Sequence, residues 1–370
     1  MTKTNTLVAS ASVIALLAAS LAPVAQAQSM DELIAGARAE GMLTTIALPH
    51  DWCGYGAVIA RFKEMYPFLT VNELNPDASS AEELEAIRAN RGNTGPQAPD
   101  VVDVGLAFGP AGMAEGLYAP YRVATWDTIP DDVKDPDGHW YGDYYGVMSF
   151  AVNTDLVDRV PTSFADLLSP EYQGQVALAG DPRASNQAIL AVLAAGMARG
   201  AAPGAEAGQA GLEFFAELNA MGNFVPVIGR AGTLAQGTTP ILIQWDYNAL
   251  ANRDTLAGNP PIEVVVPSDV TLAGVYVQAI SAYAPHPNAA RLWMEYLYSD
   301  EGQLGWLAGY CHPIRFNDLV ARGVVPQELM DALPPAEAYE RAVFPTVEQV
   351  NANREVVVAG WDAVVGANVQ

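Results

Sequence analysis

The chain has 370 residues, a formal net charge of −24 and 18 Lys and Arg residues in all. Such an acidic balance argues against nucleic acid or an anionic membrane surface as a partner, because a phosphate-rich partner needs a positive protein face. The length is sufficient for two domains, each with its own core.

The first 27 residues have the three parts of a secretory signal peptide. A start with one lysine, Lys3, precedes an apolar stretch from Leu7 to Ala22, and Ala25-Gln26-Ala27 forms a small-residue cleavage site. A membrane anchor is the alternative, but the apolar stretch is shorter than the roughly 20 residues that a spanning helix needs. We therefore predict export to the periplasm and cleavage after Ala27.

Strands and helices alternate in the first part of the remaining chain. The predicted strands are residues 43–48, 68–71 and 100–105, and the predicted helices are residues 31–41, 59–66 and 80–89. The last of these helices is expected to open with a capping box formed by Ser80 and Glu83. This alternation is typical of a mainly parallel sheet flanked by helices.

A second α/β pattern follows a crossover strand at residues 146–152. Its predicted elements are a strand at 175–179, a long helix that ends near Gly200, strands at 240–245 and 262–266, and a return strand at 275–280. We therefore predict an α/β clamshell of two lobes, each a mainly parallel sheet flanked by helices. Residues 28–148 and 276–370 are expected to form lobe 1, and residues 149–275 are expected to form lobe 2.

Several segments resemble the type II periplasmic solute-binding proteins of ABC importers. They are Glu40-Gly-Met-Leu, Phe62-Lys-Glu-Met-Tyr-Pro, Pro161-Thr-Ser-Phe-Ala-Asp-Leu-Leu, the stretch from Ala284 to Gln303, and Cys311-His-Pro-Ile-Arg315. The resemblance implies a monomer without enzymatic activity or cofactor, which captures a small solute and delivers it to a permease in the inner membrane. The most similar subgroup takes ferric ion, thiamine, polyamines, aminophosphonates or sugar phosphates.

Two clusters are candidates for the cation-binding end of the cleft, where an amine-bearing solute such as an aminophosphonate or a polyamine would bind. Asp51 and Trp52 follow the first predicted strand, and Trp245, Asp246 and Tyr247 end a later strand. Carboxylates can bind a ligand amine, and aromatic rings can stack on cationic or alkyl groups. The structural alternatives are a helix-capping Asp51 and an aromatic cap on the core.

A helix start in the second lobe is the candidate for the anion-binding end. Arg183, Ser185 and Asn186 lie where free N–H groups and the helix dipole attract an anion, and Arg183 adds a bidentate donor. Ordinary capping, with Arg183 in solvent, is the alternative. Phe108 and Tyr276 are further candidates for the cleft wall, although inter-lobe packing would also account for Tyr276.

The remaining signals concern the cysteines, metals and catalysis. Cys53 and Cys311 form an even pair in an oxidising compartment, which predicts a disulfide, although two buried thiols are the alternative. Ferric-binding members of the subgroup offer adjacent tyrosines to the metal, whereas residues 244–248 contain one tyrosine, which argues against ferric ion. A ferric-ion or sugar-phosphate binding protein of the same fold stays an alternative. No zinc motif or nucleophile motif occurs in the sequence. An exported metal-dependent hydrolase is therefore the least favoured function, and no bound metal is expected.

Overall fold

The structure is a computed structural model that describes residues 29–333, 339 and 341–370. The predicted signal peptide, residues 1–27, lies outside the described residues. Within them, no helix is both long and apolar enough to cross a membrane.

Strands and helices alternate through most of the described chain. The strands are Met42–Ile46 (β1), Thr70–Leu74 (β2), Val101–Gly105 (β3), Tyr118–Ala119 (β4), Tyr141–Asn153 (β5), Val176–Leu178 (β6), Ile241–Trp245 (β7), Ile262–Val265 (β8), Ala273–Ser281 (β9) and His312–Pro313 (β10). The helices are Met30–Glu40 (α1), Tyr55–Met65 (α2), Ser80–Ala89 (α3), Phe108–Ala114 (α4), Asn186–Ala198 (α5), Ala205–Ala220 (α6), Ala231–Ala235 (α7), Asp246–Leu256 (α8), Pro287–Leu297 (α9), Asp300–Ala308 (α10), Phe316–Ala321 (α11), Gln327–Asp331 (α12) and Val347–Val364 (α13). The α/β class predicted from the sequence is confirmed.

The strand β5 connects the two halves of the main sheet. As far as Val147 it pairs with β9, and from Met148 onward it pairs with β7 and β8. All of these pairings are antiparallel, as is that of β9 with β3, whereas β1 with β2 and β6 with β7 are parallel. The prediction of mainly parallel sheets was therefore wrong in this detail, because the long strands β5 and β9 run opposite to their neighbours.

The capping box of α3 begins one residue earlier than predicted. Ser79 caps the helix, and the Glu82 carboxylate accepts a hydrogen bond from the Ser79 backbone N–H. Ser80 and Glu83 are thereby free for other contacts. The Ser80 hydroxyl accepts a hydrogen bond from the Gly105 N–H at 3.1 Å, and Glu83 accepts one from the Asp103 N–H at 3.0 Å. This one-residue difference turns two predicted capping residues toward strand β3.

The C-terminal helices do not all pack on the same half of the molecule. α9 packs on α1 and α10 packs on α2, as expected for lobe 1. The last helix, α13, instead packs on α5 and α6, where Trp361 contacts Phe215 with ring centroids 5.7 Å apart. The prediction that residues 276–370 belong to lobe 1 is therefore wrong for α13, because an apolar helix face does not reveal which partner it covers. The predicted boundary between residues 148 and 149 stays a prediction.

A disulfide ties an early loop to a late one. Cys53, just before α2, is bonded to Cys311, just after α10, with the two Cα atoms 5.3 Å apart. The bond closes a sequence separation of 258 residues. The pairing predicted from the cysteine count is confirmed.

Candidate functional site

A cavity of about 380 Å³ lies between the two halves of the molecule. One wall comes from the loops after β1 and β2, from the start of α3 and from β3. The opposite wall comes from the segment after β6, from the start of α5 and from residues 228 and 230. The volume suits a small organic solute.

Asp103 lies in the wall that contains β3, and its carboxyl group is the most unusual group of the site. It stands in β3, is 5% exposed, and its Oδ2 accepts hydrogen bonds from the hydroxyls of Tyr55 at 2.7 Å and Tyr144 at 2.6 Å. Its Oδ1 has no hydrogen-bond partner among the described residues. Burial raises the pKa of Asp103 to about 7.

Two more buried carboxyl groups surround Asp103. Glu83 lines the same cavity, and burial together with the charge of Asp103 raises the pKa of Glu83 well above its usual range. Asp143 accepts a hydrogen bond from Gln278 at 2.9 Å, and burial followed by the charge of Asp103 raises the pKa of Asp143 in the same direction. In the described chain, no Arg, Lys or His forms a hydrogen bond or an ion pair with any of these three carboxyl groups. The wall therefore carries acidic groups without a counter-ion.

Groups that favour an anion lie elsewhere in the cavity. The N-terminus of α5 contributes to its wall through Ser185 and Asn186, and the first turn of this helix carries no acidic residue. Free N–H groups at such termini attract negative charge. Arg230 also lines the cavity, and the cavity therefore has separate regions for each sign of charge.

An exposed ion pair joins the two sides of the cavity at its rim. Nη1 of Arg230 lies 2.8 Å from the Asp77 carboxylate, which follows β2. Because both side chains are more than half exposed, the pair stabilises the fold little. Arg230 can therefore exchange Asp77 for an anionic group of a ligand at small cost.

Trp52 links the cavity to the buried aromatic side chains behind it. Its ring packs edge-on against Tyr247 and Tyr276, with centroids 5.3 and 5.4 Å apart. Its indole N–H donates to the Tyr144 hydroxyl at 2.6 Å, and that hydroxyl in turn donates to Asp103. This chain of hydrogen bonds fixes the position of the aromatic wall relative to the buried carboxylate.

A second cavity of about 220 Å³ adjoins the first. The wall residues that the two cavities share are Pro49, Trp52, Asp77, Ala179, Gln187 and Arg230. Residues found in the wall of the second cavity alone include Asp51, Gln244, Asn248 and Asn252.

The structure brings together half of the predicted site residues. Trp52, Ser185, Asn186 and Tyr276 line the first cavity, and Asp51 lines the second. The predicted residues outside both walls are Phe108, Arg183, Trp245, Asp246 and Tyr247.

Arg183 is held by partners that the sequence does not show. Its guanidinium bonds to Asp181, to Asp362 at 3.2 Å, and to Asn368 at 3.0 Å. These contacts tie the start of α5 to the C-terminal segment. Arg183 therefore lies outside both cavity walls, whereas Arg230, which the sequence analysis did not single out, lines both.

The cluster at residues 245–247 lies beneath the cavity instead of in its wall. Trp245 and Tyr247 are fully buried, and Tyr247 lies under Trp52. Asp246 accepts hydrogen bonds from the Val147 N–H at 2.9 Å and from the Tyr339 hydroxyl at 2.7 Å. Burial raises the pKa of Asp246 to about 6. Asp246 thus anchors β5 where it passes between the two halves.

Phe108 is also a packing residue. It is buried at the start of α4, and the guanidinium of Arg354 lies 4.6 Å from its ring centroid. Its carbonyl oxygen accepts a hydrogen bond from the Tyr118 hydroxyl.

The sequence analysis missed the acidic wall residues and Arg230. Asp103 could have been found, because it interrupts the apolar strand Val-Val-Asp-Val-Gly, where a charged residue needs a special reason. Asp77 and Arg230 are loop residues whose significance depends on the contact between them. Within the described residues, no group of three or more His, Cys, Asp or Glu is arranged to hold a metal ion.

Comparisons with solved structures agree with this architecture. The periplasmic binding protein AfuA from Actinobacillus pleuropneumoniae, with exogenous fructose-6-phosphate bound, is 20% identical with a TM-score of 0.69, over 88% of this chain and 98% of that one. AgtB from A. tumefaciens R10, in complex with agropinic acid, is 15% identical with a TM-score of 0.67, over 88% and 99%. A ferric binding protein from Campylobacter jejuni is 16% identical with a TM-score of 0.62, over 87% and 99%.

The fold and the cavity between its halves define a type II periplasmic binding protein, a two-lobed clamshell. A family model described as bacterial extracellular solute-binding protein matches residues 97–338, and the chain belongs to this family. It is the substrate-binding component of an ABC transporter, and the family implies a small-molecule ligand, a partner permease and a periplasmic location.

Proposed function

We propose that the protein captures a small organic solute that carries both an amine and an acidic group, such as an aminophosphonate. The observation that carries this proposal is Asp103, a buried carboxyl group in the cavity wall with one unpartnered oxygen and no cation beside it. A buried charge needs a partner, and a ligand ammonium group would be that partner.

The amine end of the solute would bind against Asp103 and Glu83. A ligand cation favours the ionised form of a carboxyl group, so its arrival would lower the pKa values that burial raises. Trp52 and Tyr276 would border the same region, where aromatic rings favour cationic or alkyl groups. Asp103 takes the role that the sequence analysis assigned to Asp246.

The acidic end of the solute would bind near the start of α5. Ser185 and Asn186 stand at this start, and Arg230 would supply a charged donor after leaving Asp77. Because such a ligand contacts both lobes, it would favour the closed arrangement. We further propose that the protein acts as a monomer without catalysis, after removal of residues 1–27.

A thermal-shift panel tests the solute class. We expect 2-aminoethylphosphonate to stabilise the protein more than spermidine, fructose 6-phosphate or ferric citrate at equal concentration. A ligand at 100 times its Kd adds about 2.7 kcal/mol to the free energy of unfolding. If spermidine gives the largest shift, the protein binds a polyamine. If fructose 6-phosphate or ferric citrate gives the largest shift, the solute is a sugar phosphate or a metal ion and the proposal of an amine-bearing solute is wrong.

The variant Asp103→Asn, with Asp246→Asn as the matched control, tests the residue. Both replace a buried carboxyl group by an amide, but Asp103 alone of the two lines the cavity. We expect Asp103→Asn to weaken amine binding at least tenfold and Asp246→Asn to retain it. Equal loss in both variants would remove Asp103 from its proposed role.

A further inference from the structure

We propose that the second cavity is a subsite for an uncharged, hydroxyl-rich arm of the solute, an inference that rests on the proposed function for the charged part of the same molecule. The solute would then be an amine-bearing acid with a polyol or sugar-like extension.

The two cavities adjoin each other. Trp52, Gln187 and Arg230 belong to both walls, so a ligand held in the first cavity would reach the second past these shared residues. The second cavity adds about 220 Å³, which is space for an extension of several heavy atoms.

The inner wall of the second cavity carries amide side chains. Gln244 is 3% exposed and Asn252 is 7% exposed, and they are joined by a hydrogen bond of 3.4 Å. The Oε1 of Gln187 accepts hydrogen bonds from the Trp245 N–H at 2.7 Å and from Asn248 Nδ2 at 3.3 Å. Amide groups offer both donors and acceptors without net charge, which matches the hydroxyl groups of a polyol.

One buried donor in this wall has no acceptor. Nε2 of Gln244 has no hydrogen-bond partner in the part of the chain that the structure describes. Leaving a buried donor unpaired is unfavourable, and a ligand hydroxyl oxygen would satisfy it. The charged residues of this cavity are Asp51, Asp77 and Arg230. Asp77 and Arg230 form the exposed ion pair at the rim, and the inner wall is therefore neutral.

Binding measurements with three probes test the subsite. 2-Aminoethyl phosphate and glucosamine 6-phosphate each carry one amine and one phosphate, but the second adds a hydroxylated ring, and glucitol is a polyol without charge. We expect wild-type protein to bind glucosamine 6-phosphate at least tenfold more tightly than 2-aminoethyl phosphate. We expect Gln244→Leu to abolish most of this gain.

Asn248→Ala, at a less buried position of the same wall, is a second variant in case Gln244→Leu does not fold. Gln209→Leu, at an exposed position of α6, is the matched control. An unchanged gain in both wall variants, or no gain in wild type, would overturn the subsite. If neither amino phosphate binds, the proposed function fails, and the binding of glucitol then decides whether the subsite exists. Saturable glucitol binding that Gln244→Leu or Asn248→Ala weakens would support the subsite, and no saturable binding to wild type would overturn it.

Discussion

The variant Asp103→Asn is expected to make the protein more stable in neutral solution. Burial raises the pKa of Asp103 from an ordinary 3.8 to about 7, so the folded protein keeps a proton that the unfolded chain has lost. Each unit of difference corresponds to about 1.4 kcal/mol, and the carboxyl group therefore lowers the free energy of unfolding by roughly 4 kcal/mol above pH 7. The amide avoids this cost, and its oxygen can still accept from Tyr55 and Tyr144.

The difference between the pKa values of Asp103 in the unfolded and the folded protein confines this effect on stability to a defined pH range. The stability of wild type should fall as the pH rises from about 4 to about 7, where the folded state binds more protons than the unfolded state. The gain from Asp103→Asn should be small at pH 4 and largest above pH 7. Urea unfolding of ligand-free protein at several pH values measures this gain. The exposed residue Asp132 provides the control Asp132→Asn. Parallel pH profiles for wild type and Asp103→Asn would refute the reasoning.

Three further variants test other parts of the structure. Replacing Cys53 and Cys311 by Ser should lower the free energy of unfolding by roughly 5–6 kcal/mol in urea titrations, because a long closed loop is released, and an unchanged midpoint would contradict this role. Gly105→Ala would place its Cβ 1.9 Å from Cγ of Asn186 across the cleft, so X-ray scattering should show a more open protein and ligand affinity should fall about tenfold. Unaltered scattering and affinity would show that the two sides accommodate the methyl group. Asp246→Asn should raise stability at pH 8 but not at pH 4, because burial raises the pKa of Asp246 to about 6, and equal stabilisation at both pH values in urea would count against this pKa.

The sequence predicted the fold class well because its signals are local. Runs of apolar residues indicated the strands, and helix caps and glycines indicated the helix ends. The strand β5 shows the limit, since a strand was predicted at residues 146–152 but the structure has one at Tyr141–Asn153. Its first part carries Tyr and Asp residues whose burial depends on pairing with β9, and such pairing has no local signature.

The candidate site was less predictable because its chemistry depends on distant contacts. Arg183 was a reasonable anion donor at a helix start, but Asp362 and Asn368, far along the chain, hold it elsewhere. Trp52 was expected near the cleft because it follows the first strand, and it lines the first cavity. The position of Asp103 in an apolar strand is visible in the sequence, but the unpartnered oxygen of its carboxyl group is a property of the folded protein.

The most direct test of the account is a calorimetric titration of wild type and Asp103→Asn with the amine-bearing acid that gives the largest thermal shift. One-to-one binding to wild type, weakened at least tenfold in a folded Asp103→Asn protein, is the predicted result. Equal affinity of the two proteins, or no binding of any amine-bearing acid to wild type, would contradict a cleft in which a buried carboxylate recognises the solute.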